Sequence, residues 1–287
     1  MQTFHYTSPQ KLCSIINSRS FYAARIVDLP EDQREFSALD ATLQHLESLN
    51  SQHEVNNLVV FCKNELEKHR DNIYEISFCK NGHSEFMWNN YAKDGCCICF
   101  NKEKLLEAFG ENKRRIVDFG FGDCLYVEED TIHKRTLTEL NNMLKTNSAL
   151  KQKRVHCTTI SSFEDLNKTD EELSSSVLEV ISVDDVFDSI AVIPTRIKLG
   201  GAEHSFPKEE EDRLVILGKD KDIITKVGDR FFLVLNLKPD SFLASISSIQ
   251  LDPNSQIKSE IKSAIENELD SVSPELLQKW FSNEANR

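Results

Sequence analysis

The order of apolar patterns along the chain constrains its fold more than any other feature of the sequence. Helical spacing dominates the first half, whereas short apolar runs typical of strands dominate the second half. The two patterns do not alternate as they do in a doubly wound sheet. We therefore expect an α+β fold, in which an N-terminal helical part packs on a strand-rich sheet that is mixed or antiparallel.

The first half opens with a short strand at 4–6 and a helix. Ser8 is a natural N-cap, and Pro9 suits the first helical position. The later predictions follow from apolar periodicity. They are strands at 73–79, 95–100 and 123–127, two helices within 37–69, and helices at 102–108 and 136–150.

In the second half, residues 231–235 are all apolar, which is typical of a central strand covered on both sides. Glycine and proline are sparse and no low-complexity linker is present, so we expect one domain over residues 1–287. The predicted strands are 177–183, 189–194, 213–217, 222–226, 230–237 and 243–251. Two helices follow, one with Ile257, Ile261, Ile265 and Leu269 on one stripe and a short one at 274–281.

The formal net charge of the 287-residue chain is −13. An acidic surface repels phosphate groups, which disfavours non-specific binding to nucleic acids or anionic membranes. No apolar stretch approaches the roughly 20 residues that span a bilayer, and the first residues have no signal-peptide pattern. We expect a cytoplasmic protein with no membrane partner.

Eight cysteines are scattered among apolar residues. Cys96, Cys97 and Cys99 are close in sequence, which raises the question of a metal site. On a strand, however, Cys97 and Cys99 share one face and Cys96 points to the other. No second Cys-x-x-Cys pair stands at zinc-site spacing. We interpret these thiols as buried, reduced core residues.

Three polar segments are candidates for function. His5-Tyr6-Thr7-Ser8 precedes a helix N-terminus, where anionic ligands can bind, although Ser8 can also serve only as a cap. In the second segment, the rings of Trp88 and Tyr91 follow a strand that contains Ser77. These rings can form a stacking wall for a planar ligand, or they can close the core.

The third segment is the acidic run Glu209–Asp212, which leads into a predicted strand. Such runs are usually solvated loops. Strand alternation, however, places Glu211, Arg213 and Val215 on one face. A carboxylate held near an arginine at a strand start can stabilise a developing positive charge or take a proton.

These segments, taken in order, resemble the mostly bacterial domain-of-unknown-function family numbered 2971. That family opens with a His-Tyr-Thr-Ser-like motif and continues with a Ser-Phe strand and a Met/Leu-Trp…Tyr segment. A Gly-x-x-Ile-x-Phe strand follows, and a His…Glu-x-Glu-Trp-Arg-Leu motif lies near the C-terminal third. The matching residues here are His5–Ser8, Ser77-Phe78, Met87-Trp88…Tyr91, Gly95–Phe100 and His204…Glu209–Leu214, with Asp212 in place of the family's aromatic residue.

The motif order of that family is similar to that of the ADP-ribosyltransferase superfamily, which implies an enzyme that consumes NAD as a substrate. The resemblance implies that Glu211, with Glu209 as the fallback, stabilises the ribose cation and that His5 holds the ribose. It also implies that Tyr6 or Tyr91 stacks on the nicotinamide ring, with Trp88 beside it, and that Ser77 positions the ribose. Arg213 then either orients the carboxylate or binds a phosphate group.

The acceptor can then be a protein, a nucleic acid or water, and a role in bacterial defence or toxin action is expected by analogy. Two other hypotheses stay open at this point. The chain can be a non-catalytic binding module that keeps the fold without the chemistry. It can also be a metal-dependent hydrolase that uses the acidic cluster Glu209–Asp212 with a divalent ion.

Overall fold

The computed structural model describes residues 1–28, 70–110, 116–127, 197–199, 209–218 and 224–282. Eleven strands lie in these ranges: β1 (Gln2–Thr7), β2 (Ser20–Arg25), β3 (Ile73–Cys79), β4 (Cys96–Asn101), β5 (Ile116–Asp123), β6 (Leu125–Val127), β7 (Ile197–Leu199), β8 (Glu211–Gly218), β9 (Ile224–Val227), β10 (Arg230–Asn236) and β11 (Ile246–Leu251). They also contain six α-helices: α1 (Pro9–Ser18), α2 (Glu85–Tyr91), α3 (Lys102–Gly110), α4 (Pro239–Ser245), α5 (Lys258–Glu268) and α6 (Pro274–Ser282).

Nine of the strands form one sheet with the order β11-β4-β1-β3-β2-β10-β9, extended by β8 against β3 and β5 against β8. The pairings described in this sheet are antiparallel. Strands β6 and β7 form a separate parallel pair. The architecture is therefore α+β with an antiparallel sheet, as predicted.

Strand β3 changes neighbours along one of its edges. Its other edge pairs with β8 over the full length of the strand. On the changing edge, Cys79 pairs with Phe4 of β1, whereas Glu75 pairs with Ala24 of β2. Strands β1 and β2 therefore separate opposite residues 76–78 of β3. We call this separation the fork.

The two faces of the sheet differ in character because strand side chains alternate. Tyr74, Ile76 and Phe78 point to the core face, which α1, α3, α4, α5 and α6 cover with apolar side chains. Glu75 and Ser77 point to the opposite face, which we call the polar face. The larger hydrophobic core thus lies on one side of the sheet, while a smaller cluster with Phe4, Cys79 and Trp88 covers only part of the polar face.

Phe21 lies at the centre of the core face. Its ring centroid is 5.6–6.0 Å from those of Phe78, Phe100, Phe109 and Phe242. These rings come from strands on both sides of the fork and from two helices, and aromatic pairs at such distances stabilise a core beyond their buried area. The cluster therefore holds β2, β3 and β4 together on the core face.

Helix α1 begins as its sequence predicts. The Ser8 hydroxyl accepts a hydrogen bond from the backbone N–H of Lys11 at 3.3 Å, and Pro9 occupies the first helical position. We expect Ser8→Ala to lower the free energy of unfolding by about 1 kcal/mol, because one helix N–H loses its partner. Urea denaturation measures this change. Ser259→Ala is the control, since that exposed hydroxyl bonds only to the neighbouring Glu260 among described contacts, and equal losses in both variants would contradict the capping role.

Most predicted elements within the described residues are confirmed, with ends that differ by at most two residues. These are the strands predicted at 4–6, 73–79, 95–100, 213–217, 222–226 and 230–237, and the helices predicted at 102–108 and 274–281. The strand predicted at 123–127 is instead divided between β5 and β6, with a break at Cys124. The predictions at 37–69, 136–150, 177–183 and 189–194 lie outside the described residues.

The N-terminal helical part is not confirmed: residues 1–28 and 70–101 contain four strands and two α-helices, and the helices predicted within 37–69 lie outside the described residues. Other predictions are wrong. The apolar run of β10 is not covered on both sides, because Phe232 and Val234 are half-buried on the polar face. Residues 243–245 belong to α4 rather than to a strand. The cysteines match their prediction: Cys97 and Cys99 pack on one face, Cys96 on the other.

Candidate functional site

Glu211 is the first residue of β8, and its side chain points to the polar face. It is 4% exposed. The Ser77 hydroxyl donates a hydrogen bond to Glu211 Oε1 at 2.7 Å across the β3–β8 pair. The two residues, 134 positions apart in sequence, therefore form one polar unit that strand pairing holds in place.

Arg213 extends this unit along the polar face and is fully buried. Its Nε and Nη2 donate to Glu211 Oε1 at 2.9 and 2.8 Å, and Nη1 lies 2.5 Å from Glu75 Oε2. The planar guanidinium thus links two buried carboxylates and fixes their orientation. Of the two roles predicted for Arg213, orienting the carboxylate matches this geometry. The prediction that Glu211, Arg213 and Val215 share a face is also confirmed.

Tyr126 of β6 completes the described surroundings of Glu211. Its hydroxyl donates to Glu211 Oε2 at 3.1 Å, and the Cys124 N–H donates to the Glu211 carbonyl at 3.0 Å. Burial and, next, the Glu211 carboxylate raise the pKa of Tyr126 above its ordinary value, so the phenol stays a neutral donor. Both carboxylate oxygens of Glu211 therefore accept hydrogen bonds. An oriented, buried carboxylate of this kind can stabilise positive charge on a bound group.

His5 does not share a face with Glu211, which corrects the expectation that both line one cleft. Its ring packs on the core face, 6.0 and 5.7 Å from the ring centroids of Phe21 and Phe78. The pairing of His5 with Ile98 gives the same result, because Ile98 belongs to the main core. His5 nonetheless reaches the site residue Ser77, since its Nδ1 lies 3.2 Å from the Ser77 carbonyl at the fork.

The protonation state of His5 follows from this position. Burial lowers the pKa of His5 below its ordinary value, against the opposing effect of the Ser77 carbonyl. The ring is therefore neutral at pH 7. Because a carbonyl oxygen only accepts hydrogen bonds, Nδ1 carries the proton, and Nε2 has a lone pair that can accept.

We expect His5 to make the protein less stable in mild acid. Below the ordinary histidine pKa of about 6.5, the unfolded chain binds a proton at His5 more readily than the folded chain does, so stability falls as pH falls. The loss of unfolding free energy between pH 7.5 and 5.5 should be smaller in His5→Gln than in the wild type. Urea titrations at both pH values measure this difference, and equal losses would contradict the assignment.

Glu209 and Tyr91 lie beside this unit, at the end of β3. The Tyr91 hydroxyl donates to Glu209 Oε1 at 2.5 Å, and Cys79 Sγ lies 3.0 Å from the Glu209 carbonyl. Between the two predicted catalytic acids, Glu210 has a φ of 46°, in the left-handed region that non-glycine residues rarely adopt. This turn directs Glu209 to Tyr91 while Glu211 enters the sheet.

Tyr6 and Trp88 are not available as a stacking surface in this structure, which corrects that part of the prediction. Their rings pack edge to face with centroids 4.9 Å apart, and they are 8% and 2% exposed. The Tyr6 hydroxyl donates to the Asn81 carbonyl and accepts from the Ser84 N–H. Both residues therefore belong to a second, smaller hydrophobic cluster on the polar face, together with Phe4 and Cys79. For Trp88 this agrees with the alternative interpretation, in which the ring serves packing. Tyr91, by contrast, is 52% exposed.

The acidic run does not converge on one point. Glu211 points to the polar face, whereas Asp212 points to the core face and pairs with Lys102 Nζ at 2.8 Å. Lys102 also lies over the Phe121 ring, 4.0 Å from its centroid. Across the described residues, we find no group of three or more His, Cys, Asp or Glu side chains that could hold a metal ion. This geometry gives the metal-dependent hydrolase hypothesis no support.

Sequence reasoning missed two residues of the site. Glu75 lies between apolar residues in the first half of the strand Ile73–Cys79, and a charged residue at such a position signals a buried partner. That signal could have identified Glu75. Tyr126 gives no comparable signal, because its contact with Glu211 depends on how β6 meets β8.

Comparisons with known proteins give no match: no family model matches the sequence, and the searches of curated proteins and of solved structures are equally without a match. The resemblance to the family numbered 2971 therefore stays a prediction. Among the helices that the structure describes, none has the length and apolar character needed to cross a membrane.

Proposed function

We propose that the chain is an ADP-ribosyltransferase-like enzyme, or an NAD glycohydrolase, that consumes NAD as a substrate. One observation carries the proposal. Ser77 contacts both predicted catalytic residues, since its hydroxyl donates to Glu211 and its carbonyl lies beside His5 Nδ1. His5 and Glu211, the first and last residues of the motif order, thus both contact Ser77 of β3, the middle one.

The chemistry follows from the carboxylate. Breaking the bond between nicotinamide and ribose builds positive charge on the ribose, as glycoside cleavage does. A carboxylate oriented by Ser77 and Arg213 stabilises that charge without reorganising during the reaction. His5 acts from the core face, where its Nδ1–H donates to the Ser77 carbonyl and so holds the Ser77 backbone in position beside Glu211. The ribosyl group then passes to water, to a protein or to a nucleic acid.

The test is nicotinamide release from NAD by the purified protein, with water or a cell extract as the acceptor. We expect release above a protein-free blank, and we expect Ser77→Ala to slow it roughly tenfold to hundredfold, because the carboxylate loses a hydrogen bond to a charged group. Ser248→Ala is the matched control, since Ser248 is a buried strand serine on β11. Release at the blank rate with both acceptors would refute the proposal.

A second candidate is a non-catalytic binding module, and the surroundings of Glu211 favour it. The carboxylate is almost fully buried, and Tyr126 donates to the oxygen that Ser77 and Arg213 do not contact. A ribose hydroxyl would have to displace that phenol. Calorimetric titration separates the two functions, because a binding module takes up NAD without releasing nicotinamide.

A further inference from the structure

Tyr22 is an exposed aromatic residue on a strand that borders the fork. It lies in the middle of β2 and is 50% exposed, whereas its neighbours Phe21 and Ala23 are buried in the core. A large exposed ring inside a strand of the main sheet contributes little to the core, so it is available to a ligand.

The register places Tyr22 on the polar face. Ala24 pairs with Glu75, and paired residues point to the same side of a sheet. Tyr22 stands two residues before Ala24, so it shares that side and lies about 7 Å further along the strand. Its backbone also borders the fork opposite Ser77. Tyr22 therefore belongs to the same face as Glu75, Ser77 and the Glu211 carboxylate.

A second ring supports Tyr22. Phe232 of β10 pairs with Ala24, and its ring centroid lies 6.3 Å from that of Tyr22 at an interplanar angle of 68°. Phe232 is half-buried. The two side chains form an aromatic surface on β2 and β10, held by a strand pair rather than by a loop.

We infer that Tyr22, supported by Phe232, is the binding surface for a positively charged planar ring, namely the oxidised nicotinamide group of NAD. This inference rests on the proposed function and assigns the ring-binding role to Tyr22 instead of Tyr6 or Tyr91, the residues that the resemblance implies. Charge complementarity selects the occupant: the electron-rich face of a tyrosine attracts cations. The carboxylates of Glu75 and Glu211 on the same sheet face share one cation, Arg213, so this trio keeps a net negative charge that favours a cationic ring.

The test uses 1-methylnicotinamide, a permanent cation, and neutral nicotinamide as probes for the wild-type protein and two variants. We expect the wild type to bind the cation more tightly than the neutral ring. Tyr22→Ala should raise the dissociation constant of the cation about tenfold, whereas Tyr22→Phe should stay within about twofold, because the aromatic face remains. Ligand-observed NMR titration measures both constants, and far-ultraviolet circular dichroism checks that the variants are folded.

Three results would overturn the inference: no measurable binding of 1-methylnicotinamide by the wild type, an unchanged constant in Tyr22→Ala, or equal weakening by Tyr22→Ala and Tyr22→Phe. The test separates this inference from the proposed function. Probe binding that depends on Tyr22, without nicotinamide release from NAD, retains the ring surface and rejects the enzyme. Release with an unchanged KM in Tyr22→Ala retains the enzyme and rejects the ring surface.

Discussion

Arg213→Met is expected to lower the free energy of unfolding by about 3–5 kcal/mol. The guanidinium is buried and contacts the carboxylates of both Glu75 and Glu211. Removing it leaves two buried acids of like charge without the cation that they share, and breaking a buried ion pair from one side costs about this much. The loss is a large part of the about 5–15 kcal/mol that usually stabilises a domain. Urea denaturation at pH 7 measures it.

The matched control removes all three charges together. The triple variant Glu75→Gln, Arg213→Met, Glu211→Gln leaves no buried negative charge without a cation. Its loss of unfolding free energy should therefore be smaller than that of Arg213→Met alone. This comparison separates electrostatic coupling from lost packing. A triple variant that is no more stable than Arg213→Met would contradict this electrostatic explanation.

Local patterns predicted the elements whose signals are contained within a few residues. The helix after Ser8 was found because its cap, its proline and its apolar spacing agree. Strand β3 was found as a long apolar run. Strand β2 was missed because an exposed tyrosine and a terminal arginine interrupt its pattern, and its partner β10 is about 200 residues away in sequence.

The face of a strand that meets a site depends on register, which local sequence does not contain. Alternation within β8 correctly grouped Glu211 with Arg213. It could not relate His5 to Glu211, because that relation passes from β1 through β3 to β8, and a shift of one residue at either step reverses the face. The prediction for β10 was wrong for a similar reason. An unbroken apolar run has no periodicity, so it does not show which face of the strand is covered.

The sequence therefore predicted individual residues of the candidate site, but the structure corrected how they are arranged. Ser77, Glu211 and Arg213 meet as one unit, and His5 reaches Ser77 from the other side of the sheet. The resemblance assigned the stacking role to Tyr6 or Tyr91, with Trp88 beside them. The burial of Tyr6 and Trp88 depends on α2 packing against β1, a tertiary contact that the sequence does not encode locally.

Glu211→Gln tests the catalytic role of the carboxylate. The substitution keeps the size of the side chain and removes its negative charge. Losing one preorganised electrostatic contact in an active site commonly costs about 3–4 kcal/mol in transition-state stabilisation, so nicotinamide release should slow at least about a hundredfold. Glu210→Gln is the matched control, because Glu210 is the neighbouring exposed acid. We expect it to keep the wild-type rate.

The most direct measurement compares nicotinamide release by the wild type, Glu211→Gln and Glu210→Gln at equal concentrations of folded protein, with water or a cell extract as the acceptor. The account predicts release by the wild type and by Glu210→Gln, and a loss of about a hundredfold or more in Glu211→Gln. Equal rates in Glu211→Gln and the wild type would contradict it.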